Sequence, residues 1–104
     1  MAESKLVRDR IPEIIKRNGE NPQTHIALIL EYEHLLNRKL LEEVSEFNNS
    51  KNRAEMIEEL ADVLEVIDAI CRYHQIDKRA VLRAKKRKAK EKGRFRQRIV
   101  LENH

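Results

Sequence analysis

Two stretches of the sequence place carboxylates where an apolar helix face is expected. In "LLEEVSEF", residues 40–47, and in "EELADVLEVI", residues 58–67, acidic side chains interrupt runs of Leu, Val, Ile and Phe. Glu43 and Glu46 stand three apart, as do Glu59 and Asp62. On a helix that spacing puts both members of a pair on one face. At about 100° per residue from Leu36, Leu40, Val44 and Phe47 form a stripe between about 20° and 80°, with Glu43 at about −20° and Glu46 at about −80°. Counted from Leu60, the apolar residues Met56, Ile57, Val63, Leu64, Ile67, Ile70 and Cys71 spread between about −80° and 60°, and Val66 reaches about −120°. Glu59 falls at about −100°, between Ile70 and Val66, and Asp62 at about −160°, one turn further along the same side, so this pair too stands at the edge of the apolar surface.

If the two helices pack antiparallel through these surfaces, four carboxylates converge. Ionised groups crowded out of water repel one another at high cost. Protonation, neighbouring Lys or Arg, or a divalent cation would relieve that repulsion. An all-oxygen donor set suits Mg²⁺ first and Mn²⁺ next. Glu-rich helix faces are usually just solvated. What stands out here is the combination: two i,i+3 pairs bordering the apolar faces of consecutive helices.

The elements that must hold these groups are legible in outline. "VRDRIPEIIKRNG" reads as a short helix capped by Asp9, with Pro12 in its first turn and Asn18-Gly19 as the stop. A second helix is expected from about Leu30 to Phe47 and a third from about Arg53 to His74. A fourth, capped by Asp77, should run to about Lys92 and end at Gly93. "RFRQRIVLE" alternates as a strand does and could pair with residues 24–28. The expected fold is therefore all-α: a small bundle of about four helices with a minor short strand pair.

Composition agrees with that class. The 104 residues, 1–104, suit one domain, and Gly and Pro number two each against 40% hydrophobic and 38% charged residues. The apolar arc of the third helix exceeds what one small bundle can cover, so association with further copies is expected to complete the fold. A lone cysteine, Cys71, allows no internal disulfide; no leader or membrane-spanning run is visible; and a cytoplasmic protein is the expectation. His25, His34, His74 and His104 have no zinc-ligand spacing. Cys71 reads as core, and Tyr32 and Phe95 read as packing residues. Charge is strongly segregated: residues 31–68 carry a net −7 and residues 78–98 a net +11. The apolar residues of the basic tail (Val81, Leu82, Phe95, Ile99 and Leu101) suggest that it packs. An acidic centre with a basic tail suits a ligand that joins a cation to a polyanion.

The acidic pattern Glu42-Glu43-x-x-Glu46, then Glu59-x-x-Asp62, resembles the EExxE…ExxD signature of the all-α nucleoside triphosphate pyrophosphohydrolases. These are the MazG-like enzymes and their relatives, phosphoribosyl-ATP pyrophosphohydrolase among them. "KLVRDRIPEIIKRNG" (5–19) and "KAKEKGRFRQRIVLE" (88–102) are similar to the two ends of a small MazG-like branch. The resemblance implies a helical homodimer or homotetramer. It also implies Mg²⁺-dependent cleavage between the α and β phosphates of a nucleoside triphosphate, giving the monophosphate and pyrophosphate, as in nucleotide-pool house-cleaning.

By motif position it makes Glu43, Glu46, Glu59 and Asp62 metal ligands, and Glu42 the group that orients or deprotonates the attacking water. Lys5, Arg8, Lys39, Lys88 and Arg94 become candidates for the phosphates. The branch often carries two adjacent glycines near its C-terminus, whereas Gly93 is followed here by Arg94. A guanidinium there suits phosphate, while a second glycine would have allowed closer backbone approach. Phosphoribosyl-ATP is the alternative substrate. A basic helical module that binds nucleic acid is the alternative from another class, although it leaves the carboxylate pairs unexplained and nucleic acid is not the expected partner.

Overall fold

Side-chain caps set two of the helix starts. Asn52 adopts extended backbone and its Oδ1 accepts the Glu55 N–H at 2.9 Å, satisfying one donor of the first turn. Asp77 does the same for the Arg79 N–H at 2.9 Å. The computed structural model describes residues 4–103. It contains α1 (Ile11–Arg17), α2 (Ile29–Asn48), α3 (Arg53–Tyr73) and α4 (Lys78–Lys92). No strand occurs among the described residues. The protein is all-α.

Three expectations need correction. The strand pair does not form: Arg96 and Gln97 lie in a turn, and Arg98 has φ +56°, which breaks the two-residue alternation of the tail. Asp9 does not cap α1. Arg10 occupies the cap position without a side-chain bond. Pro12, in the first turn, has no N–H for a cap to satisfy. The tail and the apolar side of α4 do not pack against the rest of the chain, since Val81, Leu82, Phe95, Ile99 and Leu101 are all exposed.

The four-residue connection 49–52 returns α3 beside α2 as an antiparallel hairpin. At its open end the Tyr73 hydroxyl donates to the Ile29 carbonyl at 3.4 Å, and Tyr32 meets Tyr73 edge-on with ring centroids 5.5 Å apart. Leu36, Val66 and Cys71 are its buried apolar residues. The face that α3 turns to α2 is rotated from the one centred on Leu60. Val66 is buried and Val63, Ile67 and Ile70 are half-buried, whereas Ile57, Leu60 and Leu64 are exposed. Glu59 therefore lies within the interhelical face and not on its border. α4 is tied to α3 at the corner, where Lys78 Nζ is 2.6 Å from Asp68 Oδ1 and Ile76 N–H donates to the Cys71 carbonyl. Beyond that corner the chain reaches outward. The Cα radius of gyration is 17.7 Å, against about 13 Å for a compact domain of this length.

Candidate functional site

The hairpin brings three of the predicted carboxylates together. Glu43 and Glu46 come from the C-terminal part of α2, and Glu59 from the second turn of α3. One oxygen from each lies within 4.8 Å of the other two. Glu43 is 6% exposed, the sole buried charged residue among those described, because the stripe of α2 that carries Leu36 also carries it. Glu59 is half-buried and Glu46 is open to solvent.

The cluster is under electrostatic stress. Oε2 of Glu43 and Oε2 of Glu59 are shielded from solvent and lack a hydrogen-bond partner. Burial raises the pKa of Glu43, repulsion from Glu46 and Asp62 adds to the rise, and the Lys39 ammonium opposes it. Glu59 is pushed up to about 7. Burial is its largest cause, followed by a hydrogen bond with Glu46 that favours the protonated form, and then by repulsion from Glu46, Asp62 and Glu43. Without a cation the cluster relieves itself by keeping a proton on Glu59 near neutral pH.

Two cations flank the three carboxylates. Lys39 Nζ lies 3.7 Å from Glu43 Oε1 and 3.8 Å from Glu42 Oε2, one turn along α2. Arg8, in the segment before α1, reaches α3. Its Nη2 donates to Asp62 Oδ1 at 2.7 Å, and its Nη1 is 4.0 Å from Glu65 Oε1. Asp62 is thus held by Arg8, beside the three-carboxylate cluster. That long-range pair, joining residues 8 and 62, carries no signature in the sequence.

The other predicted residues stand apart. Lys5 is exposed and has no ion pair among the described residues. Lys88 and Arg94 are exposed on α4 and the tail, and Arg94 lines a concavity built entirely from residues 89–100. A second concavity lies at the corner of α3 and α4 beside Asp68 and Lys78. No member of the carboxylate cluster lines either one. Cys71 is buried and Tyr32 packs on Tyr73, as their positions suggested, but Phe95 is fully exposed. His104 lies outside the described residues.

The donor set fits a hard divalent cation. It is all carboxylate oxygen, it gathers within a span that one ion can bridge, and it contains two shielded oxygens with nothing to bind. A sequence model of the phosphoribosyl-ATP pyrophosphohydrolase family matches residues 8–89. The chain belongs to this family. It is a nucleotide pyrophosphohydrolase of the superfamily that also holds the MazG-like enzymes, a hydrolase of nucleotide metabolism. The matched span of this pyrophosphohydrolase takes in Arg8, Lys39, every carboxylate discussed above and Lys88, and leaves out Lys5 and Arg94. Searches of curated proteins and of solved structures found no match. No helix among the described residues is long and apolar enough to cross a membrane.

Proposed function

We propose that this pyrophosphohydrolase cleaves a nucleoside triphosphate between its α and β phosphates, with Mg²⁺, or Mn²⁺ in its place, held by Glu43, Glu46, Glu59 and Asp62. The observation that carries this reading is the gathering of Glu43, Glu46 and Glu59 with two shielded, partnerless oxygens. Such a group is stable when it keeps a proton or gains a cation. When bound, the ion supplies polarisation of a phosphoryl oxygen and a bound water of lowered pKa.

The chain's own residues supply the rest. Glu42, next to the cluster and 3.8 Å from Lys39, orients the attacking water and accepts its proton. Lys39 offsets charge on the bound phosphates from the α2 side. Arg8 does so from the α3 side, with Lys5 in the same N-terminal segment. Lys88 and Arg94 meet the leaving pyrophosphate if α4 and the tail approach a site.

The substrate reading rests on the two terminal blocks, residues 5–19 and 88–102, which favour the MazG-like branch and hence nucleotide-pool house-cleaning. Phosphoribosyl-ATP is the second reading, favoured by the family whose sequence model matches. The exposed Ile57, Leu60 and Leu64 and the small buried core support a single domain completed as a homodimer or homotetramer. The lone Cys71 supports a cytoplasmic setting.

The test is pyrophosphate release from a panel of canonical and modified nucleoside triphosphates and phosphoribosyl-ATP, with Mg²⁺ and then Mn²⁺. Release from a triphosphate, abolished by chelation, is expected. Release from phosphoribosyl-ATP alone selects the second reading, and release from neither overturns both.

A further inference from the structure

Asp62 sits one turn beyond Glu59 on α3, close enough that its charge raises the pKa of both Glu43 and Glu59, yet it is not among the three gathered carboxylates. Its Oδ1 is engaged by Arg8 at 2.7 Å. The pair is open to water, with side chains 57% and 36% exposed, and exposed ion pairs contribute little and exchange readily. Arg8 belongs to the short irregular segment before α1, outside any helix. Its fork is only part used: Nη2 makes the one short bond, while Nη1 stands 4.0 Å from Glu65.

We propose that Arg8 is a positioning residue that guards Asp62. With the site free of cation it keeps the fourth carboxylate beside the cluster. When a divalent cation draws Asp62 in, the released guanidinium turns to a phosphate of the nucleotide. The inference rests on the metal-dependent reading above and adds a coupling to it, in which cation and polyanion each favour the other's binding. The driving force is electrostatic: a guanidinium and a divalent ion compete for one carboxylate and repel each other, and the phosphate offers the guanidinium a planar bidentate partner.

Calorimetric titration of the full chain with Mn²⁺ and no nucleotide tests this without turnover. Arg8→Ala should bind Mn²⁺ about threefold or more tightly than wild type, because a competing cation has been removed. Lys16→Ala, which removes an exposed charge from α1, should change nothing. Asp62→Asn should weaken Mn²⁺ binding, and in that background the gain from Arg8→Ala should vanish. With Mn²⁺ present, Arg8→Ala should bind a non-hydrolysable α,β-methylene triphosphate more weakly than wild type. A merely structural salt bridge gives the opposite Mn²⁺ result: Arg8→Ala, folded as judged by circular dichroism, would bind the ion equally or more weakly, and this overturns the proposal. If Arg8→Ala does not fold, Asp62→Asn decides the matter alone, since wild-type Mn²⁺ affinity in that variant means Asp62 is never drawn in. Wild-type protein that binds no Mn²⁺ overturns the metal-dependent reading itself, a separate outcome.

Discussion

The acidic hairpin and the basic arm differ in how their charges are used. In the α2–α3 hairpin Glu43 is buried and Glu59 half-buried among apolar side chains, so packing fixes their positions, and burial and neighbouring carboxylates perturb their ionisation. In α4 and the tail the cations are exposed. Lys85, Lys86, Lys88, Lys90 and Lys92 have no carboxylate partner among the described residues. Glu91 pairs with Arg87 at 3.8 Å. A shared, shielded location makes a charge specific, whereas mere density makes it interchangeable. The hairpin should therefore be sensitive to single substitutions and the arm tolerant of them.

The largest expected contrast is in activity. On the proposed reading, Glu59→Gln should lower metal-dependent pyrophosphate release by at least about 100-fold, because it removes a carboxylate charge at the centre of the cluster. Arg94→Ala should cost less than about tenfold, since neighbouring cations can substitute electrostatically. Assays of both against wild type check this, and equal losses would erase the distinction between the two regions.

Stability should follow the same division. Leu36→Ala should cost about 2–5 kcal/mol in denaturant unfolding, as buried leucine truncations do. Phe95→Ala, at a fully exposed position, should stay within about 0.5 kcal/mol of wild type. A large loss at Phe95 would show that assembly buries the tail.

A subtler test uses pH. The raised pKa of Glu59 means that the native state holds a proton which the unfolded chain releases first. Metal-free stability is therefore drawn down as pH rises from the ordinary carboxylate value near 4.5 to about 7. Glu59→Gln removes that penalty. Its melting temperature relative to wild type should rise across this window without metal, and the order should reverse when Mg²⁺ is added at pH 8. A difference that does not change with pH would place the proton elsewhere.

The smallest effects separate the two caps. Asn52→Ala should lower global stability by about 1 kcal/mol, because α3 is part of the hairpin. Asp77→Ala should leave the global midpoint unchanged and speed amide exchange in α4 alone.

Much of this was legible in the sequence where local rules act. Asn18-Gly19, Asp77 and Gly93 punctuate the helices where expected, and the stripe holding Leu36 and Glu43 fixed the buried glutamate. What the sequence hid depends on distant residues. The apolar arc of α3 is too wide to show which part faces α2, so the outward turn of Leu60 and the inward turn of Glu59 had to be seen. The Arg8–Asp62 bond joins residues 54 apart in the chain and obeys no periodicity. The tail's alternation promised a strand, but a strand needs a partner edge and an unbroken extended backbone, and Arg98 denies the second.

Crystals grown with Mn²⁺ and measured at the manganese absorption edge test the central claim most directly. The account predicts an anomalous peak about 2.0–2.6 Å from carboxylate oxygens of Glu43, Glu46 and Glu59. Full manganese saturation of the medium with no peak between those three side chains would contradict it.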